Sequence, residues 1–359
     1  MVPSDNRGAD GYWSAMIVRD PEKNFEALWR TFQKRYPFFA LRKVDWQKQY
    51  DTYRPRVTKE TGDDELFDIF RQMLDPLDDG HVELIVKAGK NQKKRFFSPE
   101  KKPRFWREFT KKQIKQLLKT TDRTLVANGF GPPVATKAWL LLYCKSRVFG
   151  YVRVLELEGI SKKKLTAALD KIAGDFGSLH GFIIDIRDCP GGDDSTAIAI
   201  IDRFCDRRRI AFHRKTKIGP GEDAFKPLRT WHIEPQGEAQ FTGPIVLLTC
   251  DSVFSGGEAF ALAIKQLPYV TIIGDRTNGI FSYKLEKKLP NGWHYCLSYQ
   301  VYLSPEMVCY EGKGVPADIE LLNKKADIEN GSDPLIVRAI EVLKSRGAAV
   351  AMRTDNGPQ

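Results

Sequence analysis

Four stretches of the chain carry residue types that acyl-transfer chemistry needs. In Val253-Phe-Ser-Gly-Gly-Glu258 a serine follows the apolar run 244–249 and precedes a helical pattern over 258–267. A strand ending here and a helix starting here would set the Ser255 hydroxyl at a helix N-terminus. Free backbone N–H groups and the helix dipole favour developing negative charge at that place. The Gly256 amide could then face an oxyanion beside the nucleophile. Serine is also a favoured N-cap, so Ser255 equally suits a purely structural role. The order Gly-x-Ser-x-Gly of a nucleophile elbow is absent.

Asp185-Ile-Arg-Asp-Cys-Pro-Gly-Gly-Asp-Asp194 is the second stretch. Two glycines after a buried strand can turn consecutive amides toward an anion, so Gly191 or Gly192 is a candidate second oxyanion donor. A tight strand-to-helix turn would explain the same glycines. A phosphate loop is not indicated, because Gly-x-x-x-x-Gly-Lys-Ser/Thr is missing. Serine needs a base to take its proton. Of His81, His180, His213, His232 and His294, only His81 follows an acidic, glycine-containing turn at the end of an amphipathic helix. It is the candidate base, although a lone histidine is commonly structural. Glu311, in Tyr310-Glu-Gly-Lys-Gly-Val-Pro-Ala-Asp-Ile319, could orient an imidazole, or be an ordinary loop carboxylate.

The elements that must hold these residues follow from periodicity. Phe25, Leu28, Trp29 and Phe32 keep the i, i+3, i+4, i+7 rule, and the pattern reads as helical over 21–56. Leu66, Phe67, Phe70, Met73, Leu74 and Leu77 continue as an amphipathic helix ending at Asp78-Asp79-Gly80-His81, and Val82-Leu84-Val86 alternates as a strand. Strands are expected at 139–143, 148–157, 181–187, 244–249 and 270–273, with helices at 160–172, 195–206, 258–267 and 333–345. A hairpin is expected over 282–303. Strand and helix alternate from residue 139 onward, which predicts an α/β core.

Taken in order, Asp79-Gly80-His81, Ile183–Gly192, Leu247–Phe260, Ile273–Gly279 and Glu311–Asp318 resemble the tail-specific, or carboxy-terminal-processing, serine protease family, on the branch near the tricorn core protease. The resemblance spans about 135–345 and, more loosely, 60–85. It implies a ClpP/crotonase-like spiral β-α core, with an N-terminal helical unit and a basic insertion or cap. It implies Ser255 as nucleophile, three residues before Glu258, His81 as base and Glu311 as its orienting carboxylate. Gly256 with Gly191 or Gly192 would form the oxyanion hole. Two departures stand out. Ile280 follows Thr277-Asn-Gly279 where the processing branch has its catalytic lysine, so a serine–lysine dyad is not expected unless Lys284 or Lys287 substitutes. Gly80 stands where the tricorn tetrad has a serine. No PDZ module is recognisable.

Composition sets the outer bounds. The 359 residues are 42% hydrophobic, enough for a sizeable core, and no apolar run reaches the ~18 residues of a membrane-spanning helix. The start MVPSDNRGAD lacks an apolar leader core, so the chain as written reads as cytoplasmic, or exported if a leader preceded it. Six cysteines without Cys-x-x-Cys read as reduced thiols, and no metal or cofactor is expected. Residues 87–124 hold ten Lys and four Arg against three acidic residues, which matches the whole chain's net charge of +11. Interleaved Phe96, Phe97, Phe105, Trp106 and Phe109 could mark a nucleic-acid surface. Without any recognition signature the segment reads instead as a solvated cap with its aromatics packed inward, or as a means of steering acidic peptides. The expected organisation is a loose arm (1–20), a helical unit carrying the base (21–86), a basic cap (87–134), a catalytic core (135–345) and a loose tail (346–359). The expected partner is a peptide or protein substrate, not nucleic acid; oligomeric state is open. The expected function is a serine-dependent peptidase. Hydrolysis of small esters or amides on the same fold, and non-catalytic binding of apolar ligands, are the alternatives.

Overall fold

The computed structural model describes residues 19–87, 94–100, 102–136, 140–176 and 179–354, the last eight by backbone alone. Most of the expected arm 1–20, the start of the expected strand at 139 and the last five residues lie outside them. The chain divides into two compact units, residues 1–99 with 284–297, and residues 100–283 with 298–359.

The first unit is built on aromatic helices. Asp20 caps the helix Pro21–Arg35, accepting from the Lys23 amide at 3.0 Å. Phe25, Leu28 and Phe32 point into the core, where Phe25 stacks on Phe70 of the helix Asp63–Leu74. The helical reading over 21–56 is interrupted. Pro37 disfavours helix at Tyr36, so the first helix ends at Arg35 and a second, Trp46–Tyr53, starts on Asp45. The two are clamped by reciprocal bonds: each of the Trp29 and Trp46 indoles donates to the other's carbonyl at 3.1 Å. The strand Glu83–Val86 lies between Arg95–Phe97 and His294–Ser298, and Lys284–Lys288 takes the far edge of this antiparallel sheet. The expected hairpin is therefore present. Its Trp293 is buried edge-on against Phe70.

The second unit is a seven-stranded mixed sheet with helices on both faces. The spatial order is Ile319–Glu320, Val270–Gly274, Ile245–Thr249, Gly181–Asp185, Phe149–Val154, Leu141–Lys145, Val134–Ala135. The first five run parallel and the last two antiparallel. The central strands are apolar without interruption, as strands covered on both sides must be. Their side chains still alternate. Phe182, Ile184, Ile245 and Leu247 join the core with the helices Lys162–Phe176, Asp194–Ile201 and Gly256–Ile264. Ile183, Val246 and Leu248 join the core with Pro334–Thr354.

Three expectations change here. The terminal helix continues to Thr354 instead of ending at 345, in keeping with the alanines in that stretch. Strands Arg209–Thr216 and Arg229–Ile233, absent from the sequence reading, pair with each other, and the first also pairs with Gln300–Leu303, in a second sheet. Their polar, half-exposed pattern gave no apolar run to find. The basic segment is not one body: Arg95–Phe97 belongs to the first unit, whereas the helices Arg104–Glu108 and Lys111–Ala127 belong to the second. Its aromatics divide as well, with Phe105 and Phe109 buried but Phe96 and Trp106 exposed.

Candidate active site

Two adjacent parallel strands deliver the serine and the paired glycines to one place. Gly181–Asp185 and Ile245–Thr249 lie side by side, Ile183 opposite Val246, so the loops after both leave from the same sheet edge. Open α/β sheets bind ligands at that carboxyl edge. The loops then press together. A Cβ on Gly191 would lie 2.7 Å from the Phe254 carbonyl and 2.9 Å from both the Gly256 nitrogen and the Ser255 Cβ. A Cβ on Gly256 would collide with the Gly192 carbonyl. Gly191 and Gly192 adopt φ of 108° and 133°, which L side chains rarely adopt. Leu157 fixes them from the other side: its amide donates to the Gly191 carbonyl at 2.9 Å and its carbonyl accepts from the Asp193 amide at 3.0 Å.

Ser255 itself is strained. Its φ of 57° and ψ of −129° suit a glycine corner, and a non-glycine residue held there costs about 1–3 kcal/mol. It occupies the N-cap position of the helix Gly256–Ile264, yet its hydroxyl does not cap that helix. The capping role that the sequence equally allowed is therefore not the one the side chain plays. Backbone bonds hold the corner instead. The Ser255 amide donates to the Ile280 carbonyl at 2.8 Å, and its own carbonyl accepts from the Glu258 amide at 2.9 Å.

Glu258, one turn into this helix, is the buried anchor. Its Oε1 accepts from the Gly279 amide at 2.7 Å and from the Thr277 hydroxyl, and its Oε2 accepts from the Ile280 amide. Burial pushes its pKa up to about 8, opposed by these donors, which favour the carboxylate. Through Ile280 the carboxylate fixes the amide of Ser255. Through Thr277, whose hydroxyl accepts from the Val315 amide at 2.7 Å, it also ties down the loop that carries Glu311. Glu311 is 2% exposed and accepts from the Phe281 amide at 3.0 Å. The Gly312 amide donates to the Gly279 carbonyl at 2.7 Å, so the serine and glutamate loops are laced to one shared strip, 277–281.

His81 is carried by the first unit, in the turn after the helix Asp63–Leu74. Asp78 takes a left-handed φ of 45°, and the buried Asp79 accepts from the Tyr36 hydroxyl at 3.0 Å and from the His81 amide at 2.9 Å. The imidazole is 1% exposed. Burial lowers its pKa to about 4; the Asp79 charge opposes this, and Lys284 adds to it. The ring is therefore neutral at pH 7, the state a proton acceptor needs.

The structure brings Ser255, Gly256, Gly191 and Gly192 together, and joins Glu311 to Ser255 through 277–281. Lys284, the substitute considered for a serine–lysine dyad, pairs with Glu83 at 2.6 Å within the first unit, and Ile280 is a buried apolar residue. The central place of Glu258 was missed, since sequence reading used it only as the start of a helix. A signal was present: a carboxylate placed at i+3 from the serine, at the head of an otherwise apolar and buried helix, has to find buried donors. Among the described residues no group of three or more His, Cys, Asp or Glu side chains could hold a metal ion, and all six cysteines are free.

Known proteins are similar to parts of this chain. Residues 148–321 match the model of peptidase family S41, and residues 18–75 match the tricorn protease C1 domain. The chain is similar to the carboxy-terminal processing protease CtpA of Bacillus subtilis, 24% identical over 176 residues, covering 49% of this chain and 35% of that protein. It thus spans about a third of the length of the curated relatives it matches. A crystal structure of a candidate peptidase from Parabacteroides merdae superposes with a TM-score of 0.73 at 27% identity, over 90% of this chain and 96% of that one. Mature CPAF superposes with a TM-score of 0.65 over 95% and 98% of the two chains, and at 12% identity shows a shared fold alone. The central strands thus match a core of peptidase family S41, with a segment matching the tricorn protease C1 domain ahead of it.

Proposed function

We propose that the protein hydrolyses peptide bonds through a Ser-His-Glu arrangement and an acyl-enzyme. Ser255 attacks the carbonyl. His81 accepts its proton and returns it to the leaving amine, and Glu311 orients the imidazole. The helix-end amide of Gly256 and a donor from the Gly191–Gly192 loop receive the oxyanion. We also read the core as the ClpP/crotonase type of β-α spiral. A peptide substrate fits the names of the relatives, which are carboxy-terminal processing proteases.

One observation carries this reading: a serine is held in a glycine-like corner, its hydroxyl not used as a cap, with the Gly191–Gly192 loop against its β-carbon. Strain of that kind persists where surrounding structure enforces it. The test is hydrolysis of a peptide panel by wild type and Ser255→Ala, alongside their circular dichroism spectra. Turnover should vanish in the variant while the spectrum is retained. Hydrolysis by Ser255→Ala at the wild-type rate would refute the assignment.

A further inference from the structure

A cavity of about 310 Å³ adjoins the Gly191–Gly192 loop, lined among others by Glu158, Ile160, Gly192, Asp193, Thr196 and Tyr283. All of these residues belong to the second unit. The Glu158 side chain lies directly over Gly192, for a Cβ on that glycine would come within 2.6 Å of the Glu158 Cγ. A glutamate side chain therefore packs on the loop proposed to receive negative charge. Like charges at such a place repel, and a low-dielectric, substrate-covered site makes the repulsion stronger. No Lys, Arg or His among the described residues is paired with Glu158, which is exposed in the free protein. The nearby cation is already engaged: Arg214 sits over the Tyr283 ring, bonds the buried Asp194 at 3.1 Å and stacks on Trp231. Asp193, the other lining carboxylate, caps the helix Asp194–Ile201 through the Ser195 amide at 2.7 Å. Of the two lining carboxylates Asp193 is engaged as a helix cap, whereas Glu158 has no hydrogen-bond or ion-pair partner among the described residues and lies on the loop where negative charge would develop. A cation brought by the substrate removes the conflict.

We propose that this cavity is the subsite for the substrate residue next to the scissile bond, and that Glu158 makes it specific for the cationic side chain of Lys or Arg. The proposal rests on Ser255 being the nucleophile. It replaces the expectation of acidic substrates drawn from the basic segment.

The experiment uses peptides that differ only in one residue, Lys, Arg, norleucine or Glu, on either side of the cleaved bond. Wild type should favour Lys and Arg over norleucine in kcat/KM by about ten- to a hundredfold, the scale of a charge-assisted hydrogen bond. Glu158→Gln should bring that ratio close to one, and Glu158→Lys should shift preference toward Glu. Binding of the same peptides to Ser255→Ala, read by fluorescence anisotropy, separates the two claims. Glu158-dependent binding of basic peptides without any turnover keeps the subsite and rejects the nucleophile. Ser255-dependent turnover with no preference for charge, or with a preference unchanged by Glu158→Gln, rejects the subsite. Binding to Ser255→Ala that ignores charge rejects it as well.

Discussion

Two buried carboxylates, one in each unit, hold the turns that carry the candidate nucleophile and base, and they do so differently. Glu258 accepts three donors from a single loop, and through that loop fixes both the Ser255 amide and the strip beneath Glu311. Asp79 accepts two, the Tyr36 hydroxyl and the His81 amide, and so sets one short turn on a bed of aromatic helices. The serine turn is over-determined, and can therefore hold a strained, glycine-like φ. The histidine turn stores its tension elsewhere, in an imidazole deprived of water. A nucleophile needs an imposed geometry; a base needs an imposed protonation state.

The contrast can be broken at either end. The largest effect should come from His81→Ala, which removes the base while leaving the laced loops of the second unit alone. We expect kcat/KM for the preferred peptide to fall by about 10²–10⁴-fold, with the melting temperature little changed. A fall under tenfold would remove His81 from the chemistry.

Acid comes next. The folded pKa of about 4 lies below the 6.5 of an unperturbed imidazole, so the unfolded chain binds the proton more readily. Stability from this group is complete above about pH 6.5 and is lost as pH falls through 4, reaching roughly 3 kcal/mol. Urea unfolding of wild type and His81→Gln between pH 7 and pH 4 should diverge in slope. Parallel curves would show that the histidine is solvated.

The smallest effect belongs to Glu258→Gln, because size and shape are kept. An amide NH2 must then face at least one of the donors that the carboxylate accepted. We expect a loss of about 1–3 kcal/mol in unfolding free energy, together with a lower kcat at similar KM, as the Ser255 corner loosens. Unchanged kcat would confine Glu258 to a role in stability.

How much of this the sequence disclosed follows the same division. Buried parallel strands announce themselves as continuous apolar runs, and the loops at their carboxyl ends are where chemistry gathers. Ser255, Gly191 and Gly192 could therefore be placed from strand order alone. Glu258 was hidden in plain view, because two of its three donors are backbone amides in a later loop, which no side-chain pattern records. The second sheet was hidden because the apolar stretch of Arg209–Thr216 is only three residues long, between Arg209 and the polar run from His213. The choice of His81 among five histidines rested on its acidic, glycine-containing turn after an amphipathic helix and on the family resemblance. The break at Pro37 was visible in the sequence and was overrun by the periodicity on either side.

The central claim is that Ser255 is a nucleophile activated by His81. The most direct measurement is the rate at which a fluorophosphonate labels the folded protein, with the adduct located by mass spectrometry, for wild type and His81→Ala. We predict one adduct, on Ser255, forming at least a hundredfold more slowly in the variant. An adduct elsewhere, no adduct at all, or equal rates in the two proteins would contradict it.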